Sequence, residues 1–382
     1  MTQEILPGAT LGVLGSGQLG RMFAMAARQL GYGVQVYSPE GHSPAGQIAD
    51  REWCGAWDDY ARLKEFAQRV QVVTLEFENV PISTLSKLQE WVPVRPGPQV
   101  LEVAQNRLRE KRSLRHYGLP TADFASISNL LELRNALQQF GGRGILKTAS
   151  WGYDGKGQQL LHGTEDLSQV WKCFEGQEAI LEQLIEFQFE LSVLAVRNTA
   201  GEIACYDPIL NHHRNHILDV SLSGAPEITP VIAQRAREIA LTVMESLDVV
   251  GVLCVELFLT TQGTLLVNEI APRPHNSGHL TIDAHITSQF EQQVRSICGL
   301  PLGSTAPFQP AAMANLLGEL WPAQGVPEWD AILRHPDIKL HLYGKEAARP
   351  GRKMGHLTCL ANQAGEAEAM IRAARDELLS DR

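Results

Sequence analysis

The sequence predicts a protein of mixed α/β and α+β class, with a parallel sheet near its N-terminus and antiparallel strands farther along. A strand, a glycine turn, a helix and a second strand follow one another over residues 10–37, which is the usual opening of a parallel α/β sheet. Two apolar runs around a short turn, over residues 251–270, indicate a β-hairpin. The chain has 382 residues, a length that predicts two or three domains.

The first hundred residues alternate between strand and helix patterns. The segment 18–30 combines good helix formers with a periodic apolar face, and Gly31 ends it. The predicted strands are 10–14, 33–37 and 72–77, and the predicted helices are 18–30 and 59–70. A proline-rich stretch follows and places the first domain boundary at Pro93, Pro96 and Pro98.

Beyond this boundary, short apolar runs alternate with helical segments. The predicted strands are 144–147, 158–161, 179–184, 190–196, 251–259 and 265–270, and the predicted helices are 106–116, 231–247 and the tail from 364. A glycine cluster at 152–157 lies between the first two of these strands.

Composition excludes several classes of protein. Hydrophobic residues make up 44% of the chain and charged residues 20%, which is typical of a globular protein. The net charge is −10, so we expect no nucleic-acid partner. No apolar run approaches the roughly 18–20 residues of a membrane span and no signal peptide is indicated, so we expect no membrane partner. Six scattered cysteines without a CxxC pair indicate reduced thiols and a cytoplasmic protein.

Two glycine-rich segments are candidates for phosphate binding. GSGQLG at 15–20 lies between a strand and a helix, where backbone N–H groups can bind a phosphate. A nicotinamide dinucleotide site also needs an acid at the end of the second strand, but Glu40 comes only after a proline. Phosphate binding without a dinucleotide is therefore favoured. The alternative is a tight turn that binds nothing. GYDGKGQ at 152–158 lies between two strands and lacks the GK[ST] of a P-loop, so it predicts a flexible hairpin over a triphosphate. Lys147 lies on the preceding strand and Lys156 on the loop itself. The alternative is an ordinary glycine turn.

Glu256 and Glu269 lie on the two strands of the predicted hairpin. If its loop spans 261–264, Thr260 faces Leu265 and the two glutamates face each other at about 5 Å between Cβ atoms. Opposed carboxylates repel unless a cation bridges them, and Mg²⁺ takes carboxylate and phosphate oxygens together, with Mn²⁺ as a substitute. Asn268 adds an oxygen. A loop one residue longer or shorter breaks this pairing, and the alternative is two solvated acids on an edge strand.

Histidines cluster at 212–216 and 275–285, but neither cluster has the ordered spacing of a zinc site. The segment RPHNSGH at 273–279 follows Glu269 closely, so its cations and donors are predicted to lie where an anionic substrate sits. A loop held by internal hydrogen bonds is the alternative. The basic run at 349–356, taken alone, indicates an exposed loop.

In this order, these segments resemble those of the ATP-grasp superfamily, and within it the N5-carboxyaminoimidazole ribonucleotide synthetases. The resemblance covers about residues 10 to 360 and is specific because five segments match in order: GSGQLGRM at 15–22, EFENV at 76–80, GYDGKGQ at 152–158, NEIAPRPHNSGH at 268–279, and 349–356. One departure is His216, where relatives often carry glycine after His-Arg-Asn; another is Leu210 at a commonly acidic position.

The resemblance implies an N-terminal Rossmann-like domain at 1–103, a lid at 104–190 and a C-terminal domain at 191–382 with a mainly antiparallel sheet. ATP is expected between the last two. The implied ATP contacts are Arg107, Lys147, Gly152, Tyr153, Asp154, Gly155, Lys156, Gly157, Gln158, Glu182, Gln183, Leu184, Ile185, Glu190, His213, Asn268 and Glu269. The implied metal ligands are Glu256 and Glu269.

The implied reaction is ATP-dependent carboxylation of aminoimidazole ribonucleotide with bicarbonate, through carboxyphosphate, by a homodimer in purine biosynthesis. The implied substrate contacts are Gly17, Gln18, Leu19, Glu76, Tyr153, Asp154, Arg273, His275, Asn276, Lys345 and Arg352. Of these, Asp154, Lys345, Arg273 and His275 are the implied catalytic residues. Another ATP-grasp ligase or formate-dependent purine enzyme, a nicotinamide dehydrogenase and a non-catalytic nucleotide-binding module are the alternatives.

Overall fold

A computed structural model describes residues 4–150, 157–323 and 325–378. Its strands are β1 Thr10–Leu14, β2 Gly33–Ser38, β3 Arg51–Cys54, β4 Val72–Leu75, β5 Phe124–Ile127, β6 Gly144–Thr148, β7 Gln158–Leu161, β8 Ala179–Gln183, β9 Phe187–Arg197, β10 Ile203–Cys205, β11 Ile209–Arg214, β12 Ile217–Ser223, β13 Gly251–Thr260, β14 Leu265–Ala271, β15 Ala311–Leu317, β16 Ile338–Leu342 and β17 Lys353–Leu360. Its α-helices are α1 Gln18–Gln29, α2 Tyr60–Ala67, α3 Ile82–Gln89, α4 Pro98–Ala104, α5 Arg107–His116, α6 Leu130–Gln139, α7 Leu167–Lys172, α8 Pro230–Ser246, α9 Thr281–Ala284, α10 Gln289–Cys298, α11 Trp329–Leu333 and α12 Ala364–Glu377.

The N-terminal sheet is parallel, with strand order β3-β2-β1-β4. Its central strand β1 is buried because helices cover both faces, which explains the continuous apolar run that predicts it. The carboxyl ends of β1 and β4 meet at one edge, so the glycine turn before α1 lies beside Glu76, the residue that follows β4. This parallel sheet confirms the predicted class of the N-terminal part.

The large sheet is antiparallel and has the order β14-β13-β9-β11-β12-β15-β17-β16, with β10 paired to β9. It confirms the predicted antiparallel character of the C-terminal part. Strand β15 has the sequence AAMANLL, which favours helix, yet it is a strand because every residue but the last is buried between β12 and β17. Tertiary packing here overrides local propensity.

A second antiparallel sheet of four strands, in the order β5-β8-β6-β7, packs against α6 and α7 around a core of its own. The short connection 184–186 joins its strand β8 to β9 of the large sheet. Helix α5, which the predicted boundary assigns to the lid, packs against β14. The division at 103 and 190 stays a prediction.

The N-terminal domain is fixed to the rest of the molecule by α10. Phe290, Val294 and Ile297 of this helix share a buried core with Leu11 of β1 and Phe23 of α1. The amide of Gln293 also donates to Thr74 Oγ1 at 3.0 Å and to the Leu75 carbonyl at 3.2 Å. Among the helices described, none is long and apolar enough to cross a bilayer.

Candidate active site

A cleft of about 830 Å³ lies where the edges of the three sheets converge. It brings together most of the predicted site residues that the structure describes: Gln18, Leu19, Glu76, Arg107, Lys147, Gln158, Glu182, Leu184, Glu190, His213, Glu256, Asn268, Glu269, Arg273, His275 and Asn276. The first and last of these residues lie 258 positions apart in the sequence, so only the fold brings them together.

The other predicted residues have different placements. Gly152, Tyr153, Asp154, Gly155 and Lys156 lie outside the described residues. Among the described ones, Gly17, Gly157, Gln183, Ile185, Lys345 and Arg352 do not line the cleft wall. Gly17 nevertheless contacts it through Glu76.

The hairpin brings Glu256 and Glu269 opposite each other, but by a different route from the predicted one. Leu259, not Thr260, pairs with Leu265, so the register of the two strands next to the turn is offset by one residue from the predicted one. A β-bulge at Asn268 adds one residue to β14 and restores the Glu256–Glu269 pair. The predicted Glu256–Glu269 pairing and the span 261–264 between the two strands are therefore confirmed, whereas the predicted pairing of Thr260 with Leu265 is wrong.

The electrostatics of this pair suit a divalent cation. Burial raises the pKa of both carboxyls, but the attraction of His275, whose Nε2 lies 2.8 Å from Glu256 Oε1, lowers the pKa of Glu256. Burial and then the negative charge of Glu256 raise the pKa of Glu269. A cation between the two removes this repulsion, and oxygen donors are those that Mg²⁺ prefers. No group of three His, Cys, Asp or Glu side chains suited to a metal occurs among the described residues. Mg²⁺ is commonly held by one or two carboxylates together with phosphate oxygens.

A chain of buried hydrogen bonds leads away from His275. Its Nδ1 lies 2.9 Å from Ser277 Oγ, which lies 2.7 Å from Ser192 Oγ. Asn211 Nδ2 donates to Ser192 Oγ at 2.9 Å, and Ser221 Oγ donates to Asn211 Oδ1 at 2.8 Å. Both ring nitrogens of His275 are thus engaged, so the ring is held in one orientation beside Glu256.

Arg273 is held by Glu78 in a two-pronged ion pair. Arg273 Nη2 donates to Glu78 Oε1 at 3.0 Å, and Nε donates to Oε2. Burial raises the pKa of Glu78, but the charge and hydrogen bonds of Arg273 outweigh it and lower this pKa to about 2. The guanidinium is therefore fixed in direction beside the cleft.

Asn276 has both polar atoms of its side-chain amide buried without a hydrogen-bond partner in the structure. Buried amides almost always have partners. Since Asn276 lines the cleft next to His275, these atoms indicate a polar ligand at this place.

The phosphate side of the cleft contains Lys147 and Arg107. Lys147 Nζ lies 2.9 Å from Glu182 Oε2, and both side chains are largely buried. Burial raises the pKa of Glu182, but Lys147 lowers it to about 2, so the pair stays charged. Arg107 begins α5 and donates to the Thr148 carbonyl at 3.1 Å.

An apolar slot lies next to these cations. Phe187 and Phe258 stack with ring centroids 4.7 Å apart, and Ile145 and Leu184 complete the slot. Its position at the 184–186 connection, where backbone groups are available, is suited to a flat base. The two phenylalanines were not predicted, because their alternation in β9 and β13 looks like ordinary core.

Glu190 and His213 form an ion pair, with Glu190 Oε2 2.8 Å from His213 Nδ1. Burial lowers the pKa of His213, but its bond to Glu190 and the Glu190 charge raise it above the usual value. The adjoining hairpin turn has φ of 52° at Asn215 and 64° at His216. A left-handed backbone at both positions is one that glycine adopts more readily than a residue with a Cβ.

The glycine turn before α1 is occupied by a carboxylate of the protein itself. Gly20 N donates to Glu76 Oε2 at 2.8 Å, and Gly17 N donates to Oε1. Helix α1 has neither a capping side chain nor an acid in its first turn, so Glu76 supplies both. A Cβ at Gly15 would lie 2.3 Å from Glu76 Cγ, which explains this glycine. The predicted phosphate contacts at Gly17, Gln18 and Leu19 stay predictions.

The basic run at 349–356 contributes a different cation to the cleft from the predicted one. Lys353, which was not predicted, lines the cleft, whereas Arg352 donates to the Ala347 carbonyl at 2.7 Å. Lys345 Nζ donates to the Lys353 carbonyl at 2.6 Å, and its charge acts on Glu76. Glu110 and Lys111 of α5 also line the cleft and were missed, because a charged helix looks solvent-exposed in sequence.

Three family models match successive parts of the chain. They describe a ribonucleotide synthetase preATP-grasp domain at 8–105, an ATP-grasp domain at 112–290 and a phosphoribosylaminoimidazole carboxylase C-terminal domain at 311–370.

Curated relatives carry matching names. The N5-carboxyaminoimidazole ribonucleotide synthase of Bacillus subtilis (strain 168) is 41% identical over 356 residues, covering 93% of this chain and 92% of the relative. The bifunctional purine synthesis protein purC/E of Dictyostelium discoideum is 42% identical over 374 residues, covering 92% of this chain and 37% of that longer relative.

Solved structures agree with these names. An ADP complex of purK, an N5-carboxyaminoimidazole ribonucleotide synthetase, has a TM-score of 0.92 at 39% identity and covers both chains fully. The Aspergillus clavatus N5-carboxyaminoimidazole synthase in complex with ADP and 5-aminoimidazole ribonucleotide has a TM-score of 0.87 at 30% identity, covering 97% of this chain and 98% of that one. The chain therefore belongs to the N5-carboxyaminoimidazole ribonucleotide synthase family and is an ATP-grasp ligase.

Proposed function

We propose that this ligase uses ATP to carboxylate 5-aminoimidazole ribonucleotide with bicarbonate, giving N5-carboxyaminoimidazole ribonucleotide, ADP and phosphate. The observation that carries the proposal is the juxtaposition of the opposed Glu256–Glu269 pair with Arg273, His275 and Asn276 in one cleft. Two carboxylates beside an anion-binding group fit phosphoryl transfer to an oxyanion. The solved relative named with ADP and 5-aminoimidazole ribonucleotide supports the choice of acceptor.

The first step forms carboxyphosphate. A bicarbonate oxygen forms a bond to the γ-phosphorus of ATP, and the bond to the β–γ bridging oxygen breaks to release ADP. In this step Lys147 and Arg107 neutralise phosphate charge, and Arg273 with Asn276 orients bicarbonate. Mg²⁺, which Glu256 and Glu269 would hold with Asn268 beside them, supplies charge neutralisation when bound.

The second step transfers the carboxyl group. The exocyclic amine nitrogen bonds to the carboxyl carbon, the C–O bond to phosphate breaks, and the amine loses a proton. The amine attacks either carboxyphosphate directly or the CO₂ released from it. Asp154 is the predicted acceptor of the proton that the amine loses. The adenine is proposed to lie in the slot of Phe187 and Phe258, with Gln183 to Ile185 on its edge and Glu190 at its ribose.

The test is ADP release by the purified protein with Mg-ATP and bicarbonate, with and without 5-aminoimidazole ribonucleotide. We expect stimulation by this nucleotide, and we expect Glu269→Gln to lose at least about a hundredfold in kcat, since it removes electrostatic stabilisation of the transferring group. Tight ATP binding without stimulation would redirect the search to glycinamide ribonucleotide, formate and amino acids as acceptors.

We also infer a cytoplasmic homodimer. Exposed apolar side chains at Met25, Ile286 and Leu342 surround a second cavity of about 410 Å³ between α1 and β16. A second copy of the chain is the proposed cover. Light scattering should give a dimer for the native protein and a monomer for Met25→Glu; a native monomer contradicts this inference.

A further inference from the structure

The bulge at Asn268 is necessary for the Glu256–Glu269 pair. Without it, the regular pairing of Leu259 with Leu265 and Leu257 with Val267 continues to Glu256 with Asn268. Glu269 would then pair with Val255, whose side chain lies in the apolar core on the opposite face of the sheet. A bulge also leaves backbone groups unpaired, so something must stabilise it.

The stabilising group is on helix α5. Lys111 Nζ donates to the Asn268 carbonyl at 2.6 Å and to the Val267 carbonyl at 3.2 Å. Successive carbonyls of a regular strand point to opposite edges, so one ammonium can reach both only because the strand is bulged. Lys111 is 1% exposed, and a lysine is rarely buried so completely without a specific role.

Two further hydrogen bonds join β14 to residues near Lys111 in the sequence. Val267 N donates to the Pro120 carbonyl at 2.8 Å, and Ile270 N donates to Glu110 Oε2 at 3.4 Å. The outer edge of β14 is therefore covered by the segment that begins with α5. Of these contacts, those of Lys111 alone join the two carbonyls at the bulge itself.

We propose that Lys111 is a positioning residue that holds the β14 bulge and so sets the register in which Glu269 faces Glu256 to bind a divalent cation. The proposal rests on the metal role given to these two glutamates under the proposed function. It does not depend on the identity of the acceptor.

The test is ADP binding by calorimetry, in excess MgCl₂ and in EDTA, without bicarbonate or acceptor. For Lys111→Gln we expect ADP affinity to fall by about 10–100-fold in magnesium, the usual effect of removing a group that orients a metal ligand, and to be unchanged in EDTA. Arg112→Gln is the matched control, since Arg112 is the next residue of α5 and is exposed. It should bind as the native protein does in both buffers.

Lys111→Met is the second variant, since its unbranched apolar side chain is better tolerated in a buried position. It should show the same magnesium-specific loss. The proposal is overturned if either variant keeps full magnesium-dependent affinity, if affinity falls equally in both buffers, or if neither variant folds by circular dichroism. Failure of the carboxylation assay with intact magnesium dependence would count against the acceptor and not against Lys111.

Discussion

At the scale of single residues, the ion pair of Glu78 with Arg273 links stability to the site. The pKa of Glu78 lies at about 2, below its ordinary value of 4.5, so the pair stabilises the fold above pH 4.5 and this contribution is lost as the pH falls from 4.5 toward 2. Glu78→Gln leaves a largely buried guanidinium, on a side chain that is 19% exposed, without its countercharge. We expect a loss of about 3 kcal/mol in the free energy of unfolding at pH 7, measured in urea.

The same measurement at pH 3 should show a smaller difference between Glu78→Gln and the native protein. At that pH the carboxyl of the unfolded chain, with its ordinary pKa of 4.5, is mostly protonated, so folding must ionise it and part of the stabilisation is lost. Glu90→Gln is the control, because Glu90 forms an exposed pair with Lys87 at 2.7 Å. Its effect should stay under about 1 kcal/mol. Equal effects of the two variants at pH 7 would contradict the role of burial.

A substitution at Ser277 tests whether its hydroxyl orients the ring of His275. The hydroxyl of Ser277 links His275 Nδ1 to Ser192, and all of its side chain is buried. For Ser277→Ala we expect kcat/KM for bicarbonate to fall about tenfold, with the KM for ATP unchanged, because the ring loses its partner while the nucleotide site is untouched. Steady-state kinetics with each substrate varied in turn measures kcat/KM for bicarbonate and KM for ATP separately.

Ser296→Ala is the matched control, because Ser296 is equally buried and its hydroxyl donates to the Gln293 carbonyl within α10, away from His275. It should leave both kinetic constants near the native values. If it lowers the bicarbonate constant as much as Ser277→Ala does, loss of packing explains the effect and the orientation of His275 does not.

At the scale of elements, the turn between β11 and β12 is strained at His216. Its φ of 64° is unfavourable for a side chain with a Cβ, by about 1 kcal/mol. We expect His216→Gly to raise the free energy of unfolding by about 1 kcal/mol over His216→Ala, since both lose the imidazole and only glycine relieves the strain. Equal stabilities in urea would show that the turn relaxes.

The β13–β14 hairpin shows what sequence could and could not predict at this scale. The two apolar runs and the short turn between them predict both strands, and the repulsion of the two glutamates predicts that they need a cation. The bulge at Asn268 has no glycine or other local signal, and it is held by Lys111, which lies 157 residues away in sequence. A local pattern cannot contain such a contact, so neither the register offset next to the turn nor the bulge that compensates it could be predicted.

At the scale of the whole molecule, contacts between residues distant in sequence also decide which site residues could be predicted. Motifs predict Lys147, Glu256, Glu269 and the 273–279 segment because their chemistry is visible in short stretches. Glu78, Glu110, Lys111 and Lys353 look like solvated surface charges until the three sheets converge on one cleft. Their roles depend on which partner the fold places beside them.

The attachment of the N-terminal domain through α10 also belongs to this scale. Val294 is fully buried in the core that α10 shares with β1 and α1, so Val294→Ala leaves a cavity between the two parts. We expect a loss of about 2 kcal/mol in the free energy of unfolding. Val231→Ala, at a valine of α8 that is 61% exposed, should change the free energy of unfolding by less than about 0.5 kcal/mol.

Fluorescence reports on both parts of the molecule, because Trp53, Trp57 and Trp91 lie in the N-terminal domain and Trp321 and Trp329 in the C-terminal one. For Val294→Ala, the urea midpoints measured by fluorescence and by circular dichroism should both fall, and by the same amount. If the two transitions separate in the native protein, the shared core does not couple the two domains.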